Sequence, residues 1–360
     1  MNKIPLLHLH EKNAKELGEF AGWRTIITFT SLREEHEAVR KDAGIFDISH
    51  MTRTKISGPD ATQLLQKILT IDVERLKPGR MKYGLILNMD GGIIDDVTVY
   101  KVADNSYLMV SNALTRNRVL EWLEHNIEGE VLVEDITESS AFFAVQGPKS
   151  SAYVSNLVGD VSGFKWFEGG FRNMGDCRLL VTRSGYTGGD GYELMVLCGM
   201  QELYEKVWKF FTDQGVKPCG LACRDVCRIE AGFPLYGQDF DEKNDPIEAG
   251  LFWAVKMDKR FFIGKESLEK KQANGPVKRL MLVEMVEPGV PRPGYKVYVG
   301  DVEAGKVTSG CLSPTINKGI ALAYLPPSIH VDGAEVFVDV RGRRRKAVVR
   351  TKPLISLSRP

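Results

Sequence analysis

No stretch of this chain approaches the ~18 uninterrupted apolar residues that a membrane-spanning helix needs. The start, Met1-Asn2-Lys3-Ile4-Pro5-Leu6-Leu7-His8, has neither the apolar run of a secretory leader nor the Arg/Ser-rich make-up of an organellar presequence. A cytoplasmic location is the expectation. Charge of one sign is also missing: 48 Lys and Arg against 47 Asp and Glu leave +1, so nothing draws the whole molecule to nucleic acid or an anionic membrane. Cysteine is scarce. Six in 360 residues are too few for a disulfide framework and suit a reducing compartment. Of these, Cys219, Cys223 and Cys227 recur at i, i+4, i+8, a spacing of neither zinc pairs nor iron–sulfur ligands, so small buried residues are expected and no metal. The dinucleotide fingerprint G-x-G-x-x-G is absent, and Gln146-Gly147-Pro148-Lys149-Ser150 lacks the upstream Gly of a phosphate loop.

What is present is a mixed order of helices and strands, long enough for two or three domains. Ser31-Leu32-Arg33-Glu34 has the capping-box pattern, with a helix over Glu35 to Ala43 closed by Gly44. Strands are expected near Thr52 to Ile56, Met81 to Asn88, Tyr107 to Asn112, Ala141 to Gln146, Cys177 to Arg183 and Tyr192 to Val196. Helices are expected at Asp60 to Leu69, Arg116 to His125, Gln201 to Thr212 and Leu221 to Ala231. Neighbouring strands are joined by hairpins more than by helical crossovers, which favours an α+β fold over a doubly wound parallel sheet. From Val277 onward short alternating runs predict a small antiparallel barrel or sandwich. Lys270-Lys271-Gln272-Ala273-Asn274-Gly275-Pro276 is the natural boundary, giving regions 1–275 and 276–360.

The segment Gly91-Gly92-Ile93-Ile94-Asp95-Asp96-Val97-Thr98-Val99-Tyr100 puts two adjacent carboxylates inside an apolar strand. With Met81 to Asn88 before it, a two-residue turn at Asp90-Gly91 or Gly91-Gly92 makes a hairpin. Strand alternation then gathers Tyr83, Leu85, Ile94, Asp96, Thr98 and Tyr100 on one face and leaves Asp95 with Ile86, Ile93, Val97 and Val99. One carboxylate among aromatics suits a flat, partly polar ligand held against a single acid or base. Equally, either Asp could cap a turn or bond a backbone amide.

Ser184-Gly185-Tyr186-Thr187-Gly188-Gly189-Asp190-Gly191-Tyr192-Glu193 is either a loop on which a ligand approaches the backbone or a long hairpin turn. Glu193 and Arg224 are open to reading as a solvated ion pair or as a recognition pair, a carboxylate being the natural acceptor for fused N–H groups of a guanidine-like heterocycle. The run Arg341 to Lys346 sits at an expected hairpin tip, solvated or able to dock an acidic partner. In Ser49-His50 adjacent residues face apart, which removes a nucleophile–base pair, while His8 and His10 could share a strand face.

Taken together, Phe20-Ala21-Gly22-Trp23, Phe46-Asp47-Ile48-Ser49-His50-Met51, Gly91 to Asp96, Gln146-Gly147-Pro148, Ser184 to Glu193, Arg224-Asp225, Leu235-Tyr236-Gly237-Gln238-Asp239, Thr308-Ser309-Gly310 and Ser313-Pro314 resemble the T-protein family, the aminomethyltransferases of the glycine cleavage system. The resemblance runs through nearly the whole chain. It implies a three-lobed cloverleaf, with two interleaved α+β (ferredoxin-like) lobes in 1–275 and a C-terminal antiparallel β-barrel in 276–360. It also implies transfer of a one-carbon unit from the aminomethylated lipoyl arm of H-protein to tetrahydrofolate, releasing ammonia and 5,10-methylenetetrahydrofolate. By motif position the catalytic carboxylate is Asp96, the pterin contacts are Glu193 and Arg224, and the pocket wall is Tyr83, Asn112, Tyr186, Tyr236 and Trp253. Arg359 is implied for the folate glutamate tail. Two departures stand out: Arg24 to Phe29 lacks the family's Pro and Tyr in a region that the resemblance places at the donor entrance, and Ala222-Cys223 replaces Gly-Ala before Arg224-Asp225. The alternatives are a folate-dependent demethylase of the same superfamily and a non-enzymatic folate-binding factor for iron–sulfur or RNA-modifying enzymes. The latter's cysteine position is Leu235 here.

Overall fold

In the computed structural model, which describes residues 1–175 and 177–355, two sheets lie face to face and a barrel closes the third side. The six-stranded sheet runs in the order Gly169–Met174, Cys177–Thr182, Gly191–Val196, Ala141–Gln146, Gly44–Asp47, Lys217–Cys219. The five-stranded sheet runs Met81–Leu87, Ile93–Ala103, Ser106–Ser111, Thr52–Ser57, Leu132–Asp135. Strands Gly44–Asp47 and Thr52–Ser57 enter different sheets only a few residues apart, so the two α+β lobes interleave along the chain. A three-stranded sheet of Asn2–Lys3, Trp23–Thr28 and Glu16–Phe20 flanks them, and six antiparallel strands between Arg279 and Arg350 form a closed barrel.

Strand alternation sorts the cores. In Ala141–Gln146, the residues Ala141, Phe143 and Val145 face outward onto helix Gln201–Asp213, whose Tyr204, Val207, Trp208 and Phe211 complete that core. The intervening Phe142 and Ala144 face inward and meet Tyr100 and Leu108 of the other sheet. The same alternation buries Tyr192 and Leu194 outside and turns Glu193 and Met195 in. On the five-stranded sheet Val97, Val99, Tyr107 and Met109 pack against helix Ala61–Ile68 and its neighbours, leaving Thr98 and Val110 for the inner side. Helix Leu221–Glu230 bridges the layers. Its Cys223 and Cys227 join the inter-sheet core, while Val226 and Ile229 meet Cys311 and Ile320 of the barrel.

The barrel is held to this helix by buried polar bonds. Glu230, fully enclosed, accepts from His36 Nε2 at 2.9 Å, Arg40 Nη2 at 2.7 Å and Ser313 Oγ at 2.5 Å. Arg228 donates to Asp239 at 2.6 Å and to Ser309 at 2.7 Å. Burial alone would raise the Glu230 pKa, but the donors around it hold it down at about 2.

Several expectations need correction. Leu87 pairs with Ile93, so the hairpin closes over residues 88–92 with Asn88 bonding Gly91 and Gly92, not through a two-residue turn. A bulge at Ile86/Leu87 exchanges two neighbours: Ile93 joins Leu85 and Leu87, and Ile94 joins Ile86, Val97 and Val99. The pairing of Tyr83 with Thr98 and of Leu85 with Asp96 is as expected. The first long helix is Leu32–Lys41, with Ser31 accepting from the Glu34 amide at 3.3 Å, and Gly44 opens a strand instead of capping that helix. A Cβ on Gly44 would lie 2.6 Å from Cys219 Sγ, so close packing explains this glycine.

Cys177, at the start of its strand, and Cys198, two residues past the end of the neighbouring strand Gly191–Val196, form a disulfide, contrary to the reading of the cysteines as reduced; the other four are free and buried. Helices Ser150–Val158 and Lys265–Asn274 and strand Gly169–Met174 went unread; the second takes up most of the expected boundary run. His8 and His10 lie in a short helix, not a strand, and pair with Glu205 and the buried Asp47. In the basic run only Arg341 and Gly342 form the hairpin tip; Arg344 pairs with Asp301 and Lys346 with Glu335.

Candidate functional site

Between the inner sheet faces, helix Leu221–Glu230 and the segment 233–253 lies a cavity of about 580 Å³. Tyr83, Asp96, Asn112, Tyr186, Glu193, Arg224, Tyr236 and Trp253 all line it. Residues from strands, a helix and a loop, separated by up to 170 positions in sequence, are thus brought to one chamber. Arg359 lies outside the described residues.

At one side Asp96 leaves its strand toward the cavity. Its carboxylate accepts from Tyr83 Oη at 3.0 Å and from Asn112 Nδ2 at 2.7 Å. Burial raises its pKa above the ordinary carboxylate value, against the lowering effect of those two bonds. Asp95 points the other way and is fully enclosed. It accepts from the Asn112 amide at 3.0 Å, Asn112 Nδ2 at 2.7 Å and Thr115 Oγ1 at 2.7 Å, and so pins the turn after strand Ser106–Ser111. Burial and the neighbouring Asp96 charge push Asp95 up as well. Asn112, bonded to both carboxylates, fixes their relation. Tyr83 is held protonated by burial and by Asp96, and its ring stacks on Trp253 with centroids 5.2 Å apart and planes 17° off parallel. Trp253 remains 67% exposed, which places it at the rim.

At the other side stand Glu193 and Arg224. Glu193 accepts from Ser184 Oγ at 2.6 Å, and burial raises its pKa. Arg224 lies with its guanidinium carbon 5.0 Å from the Tyr186 ring centre; its Nη2 touches Met51 Sδ at 3.9 Å, and its Nη1 is buried with no hydrogen-bond partner. Among the described residues no carboxylate lies within ion-pair distance of Arg224, so the pair is not a solvated salt bridge. An unpaired guanidinium N–H and a carboxylate with spare acceptor sites leave unspent bonding capacity facing one chamber.

The glycine-rich loop is anchored by Gln146, whose Nε2 donates to Ser184 O at 3.0 Å and whose Oε1 accepts from Thr187 Oγ1 at 2.9 Å. A Cβ at Gly185 or Gly191 would collide with the Gln146 side chain, so these two glycines serve the anchor. Gln146 thus supports the glycine-rich loop.

Two more residues were not read as part of the site. His50 lines the cavity at 3% exposure and is held neutral by burial and by the Arg224 charge, with a pKa of about 3. Arg53, also enclosed, gives its donors to the carbonyls of Ser49, Met51, Thr137 and Ser140 and so fixes the turn presenting His50. No signal in the sequence marks it, since Thr52-Arg53-Thr54-Lys55-Ile56-Ser57 is a mostly polar run in which a charged side chain reads as solvated. The ligating atoms of Glu35, Cys219 and Cys223 lie within 4.8 Å of one another, but the Glu35 oxygens already accept the amides of Phe29, Thr30 and Gly220.

Residues 6–259 match the family described as GCVT N-terminal domain, and residues 278–355 match the glycine cleavage T-protein C-terminal barrel domain. An enzyme of a Geobacillus species named aminomethyltransferase is 40% identical over 98% of both chains, and one of Halalkalibacterium halodurans with the same name is 39% identical over 98% of both. Among solved structures, the glycine cleavage system aminomethyltransferase T from Bartonella henselae superposes with a TM-score of 0.92 at 32% identity, covering 98% of each chain. These findings define the class, a three-lobed transferase with a terminal barrel. The chain belongs to the glycine cleavage T-protein family. No helix among the described residues is long and apolar enough to cross a membrane.

Proposed function

We propose that the protein works in the cytoplasm as a glycine cleavage aminomethyltransferase whose central cavity takes tetrahydrofolate as co-substrate and receives the aminomethylated lipoyl arm of H-protein. The single observation that carries this is the division of one chamber into two chemically distinct ends. An accepting carboxylate, Asp96, is held by Tyr83 and Asn112 at one end, and an unspent Glu193–Arg224 couple stands at the other. A reduced pterin fits that division: its amino-pyrimidinone edge offers fused N–H donors and a carbonyl, matching Glu193 and Arg224, while aromatic Tyr186, Tyr83, Tyr236 and Trp253 supply flat walls. Residues 1–275 would carry this chamber and 276–360 the barrel that supports it.

In the overall reaction the transferred carbon gives up its sulfur and its amine and gains two folate nitrogens, the two N–H protons leaving with the dihydrolipoyl thiol and ammonia. Asp96 accepts a proton from the weakly nucleophilic nitrogen, N10, and its raised pKa places it nearer the operating pH of such a base. Tyr83 and Asn112 keep the carboxylate turned inward, Asp95 keeps Asn112 in place, and the two sheets exclude water from the exchange.

Mixing the protein with tetrahydrofolate and aminomethylated H-protein tests the assignment. Ammonia and methylene-folate are expected together in equal amounts. Formation of neither overturns it, and methylation of folate from a small methyl donor instead supports the demethylase reading. The demethylase and the iron–sulfur factor are not favoured by the names of the relatives.

A further inference from the structure

His50 is a buried polar residue that the mechanism above leaves idle. It lines the central cavity and is 3% exposed, yet its Nδ1 is enclosed with no hydrogen-bond partner, and neither ring nitrogen is bonded among the described residues. A core histidine ordinarily has partners, as His10 has Asp47 and His36 has Glu230 here. His50 instead packs its ring edge-on against Phe20, 5.4 Å between centres, and sits beside Met51, which touches the equally underused Arg224. Arg53 spends its donors on the backbone carbonyls on either side of His50. A turn is thereby built at the cost of a buried Arg to present an imidazole that meets no protein partner.

The geometry points to His50 as a third polar contact for the heterocycle, alongside Glu193 and Arg224, acting as a neutral hydrogen-bonding group. This rests on the folate reading of the cavity and adds to it a ligand-contacting residue. Neutrality follows from position: a second cation beside the Arg224 guanidinium in a closed chamber is strongly disfavoured. With Nδ1 enclosed, Nε2 is the nitrogen left for a ligand, and since a neutral imidazole can carry its proton on either nitrogen and a reduced pteridine has both ring N–H groups and acceptors, Nε2 finds a match in either tautomer. It is not a proton carrier at neutral pH, because its pKa of about 3 leaves it unprotonated throughout the working range.

The test is the dissociation constant for tetrahydrofolate, measured by titration calorimetry on the full chain, for wild type, His50→Phe, His50→Asn and His50→Gln, each with a thermal melt. His50→Phe keeps the ring packing on Phe20 and removes both nitrogens. It is expected to weaken binding by about tenfold or more with an unchanged melting temperature. Either Asn or Gln, whichever sets its amide at the nitrogen facing the ligand, is expected to restore affinity to within about threefold of wild type. The wild-type constant should show no titration of this residue between pH 5.5 and 8, a range chosen above its pKa of about 3. Two results overturn the inference alone: His50→Phe binding as wild type does, or all three variants losing affinity in step with a fallen melting temperature, the mark of a purely structural residue. Failure of the wild type itself to bind tetrahydrofolate overturns the folate reading, and this inference with it.

Discussion

Exchanging the two adjacent aspartates for asparagine, one at a time, should give opposite phenotypes. Asp95 accepts three hydrogen bonds, from the Asn112 amide, Asn112 Nδ2 and Thr115 Oγ1, and is fully enclosed. In Asp95→Asn the new NH2 group must face at least one of those donors. Burial disfavours the Asp95 charge, so the cost is that of a donor left unpaired in a fully enclosed site, about 1–3 kcal/mol of stability. Asp96 accepts two bonds, and its pKa is raised, which means that the fold disfavours its charge. Neutralising it therefore costs little stability, under about 1 kcal/mol. The same change removes the proton acceptor, a loss of about 10²–10⁴ in kcat. Urea unfolding and ammonia release from aminomethylated H-protein separate the two effects. An Asp96→Asn enzyme with kcat within about tenfold of wild type, or an Asp95→Asn protein as stable as wild type, would refute the assignment of faces.

Glu193→Gln should weaken tetrahydrofolate binding by about tenfold or more, since the amide both loses charge and turns a donor toward donors; equal dissociation constants would remove it from the site. Glu230, with its pKa held at about 2 against an ordinary 4.5, contributes about 3 kcal/mol of stability above pH 4.5 that is lost as pH falls toward 2. Stability curves of wild type and Glu230→Gln should therefore converge over that window, and parallel curves would contradict the buried network. Unfolding without reductant should release four titratable thiols, and six would show that Cys177 and Cys198 are not joined. Replacing both by Ser should cost about 3 kcal/mol, read by urea unfolding in the absence of reductant.

The acid limb of kcat/KM should lie above pH 3.8, because only the ionised Asp96 accepts a proton and its pKa is raised.

Elements whose boundaries depend on local pattern were legible. The alternation around Asp96 gave its partner Tyr83, and the short alternating runs past Val277 gave the barrel. What failed did so where a tertiary constraint outweighed the local one. The Asn88–Gly92 loop takes its shape from Asn88, which accepts the amides of Asp90 and Gly92, and Gly92 packs against the backbone of Glu242, far off in sequence. Gly44 read as a helix cap because nothing local reveals Cys219 pressing on it. Helix Lys265–Asn274 went unread because it is polar nearly all round, with Leu268 its buried residue. The Cys177–Cys198 pairing follows from strand register, which spacing alone does not reveal. At the site, Glu193 and Arg224 were visible as residue types, but their lack of a mutual ion pair, which is what makes them available to a ligand, is a matter of distance. Nothing local marks His50, because its place in the cavity wall and its lack of a partner arise only from the packing of the two sheets.

The most direct test of the central claim is a crystal structure of the protein with tetrahydrofolate bound. The account predicts the pteridine inside the cavity, with its amino-pyrimidinone edge on Glu193 and Arg224 and N10 within hydrogen-bond reach of the Asp96 carboxylate. A pteridine bound outside that cavity, or one whose N10 lies beyond reach of Asp96 with Asp95 nearer, would contradict it.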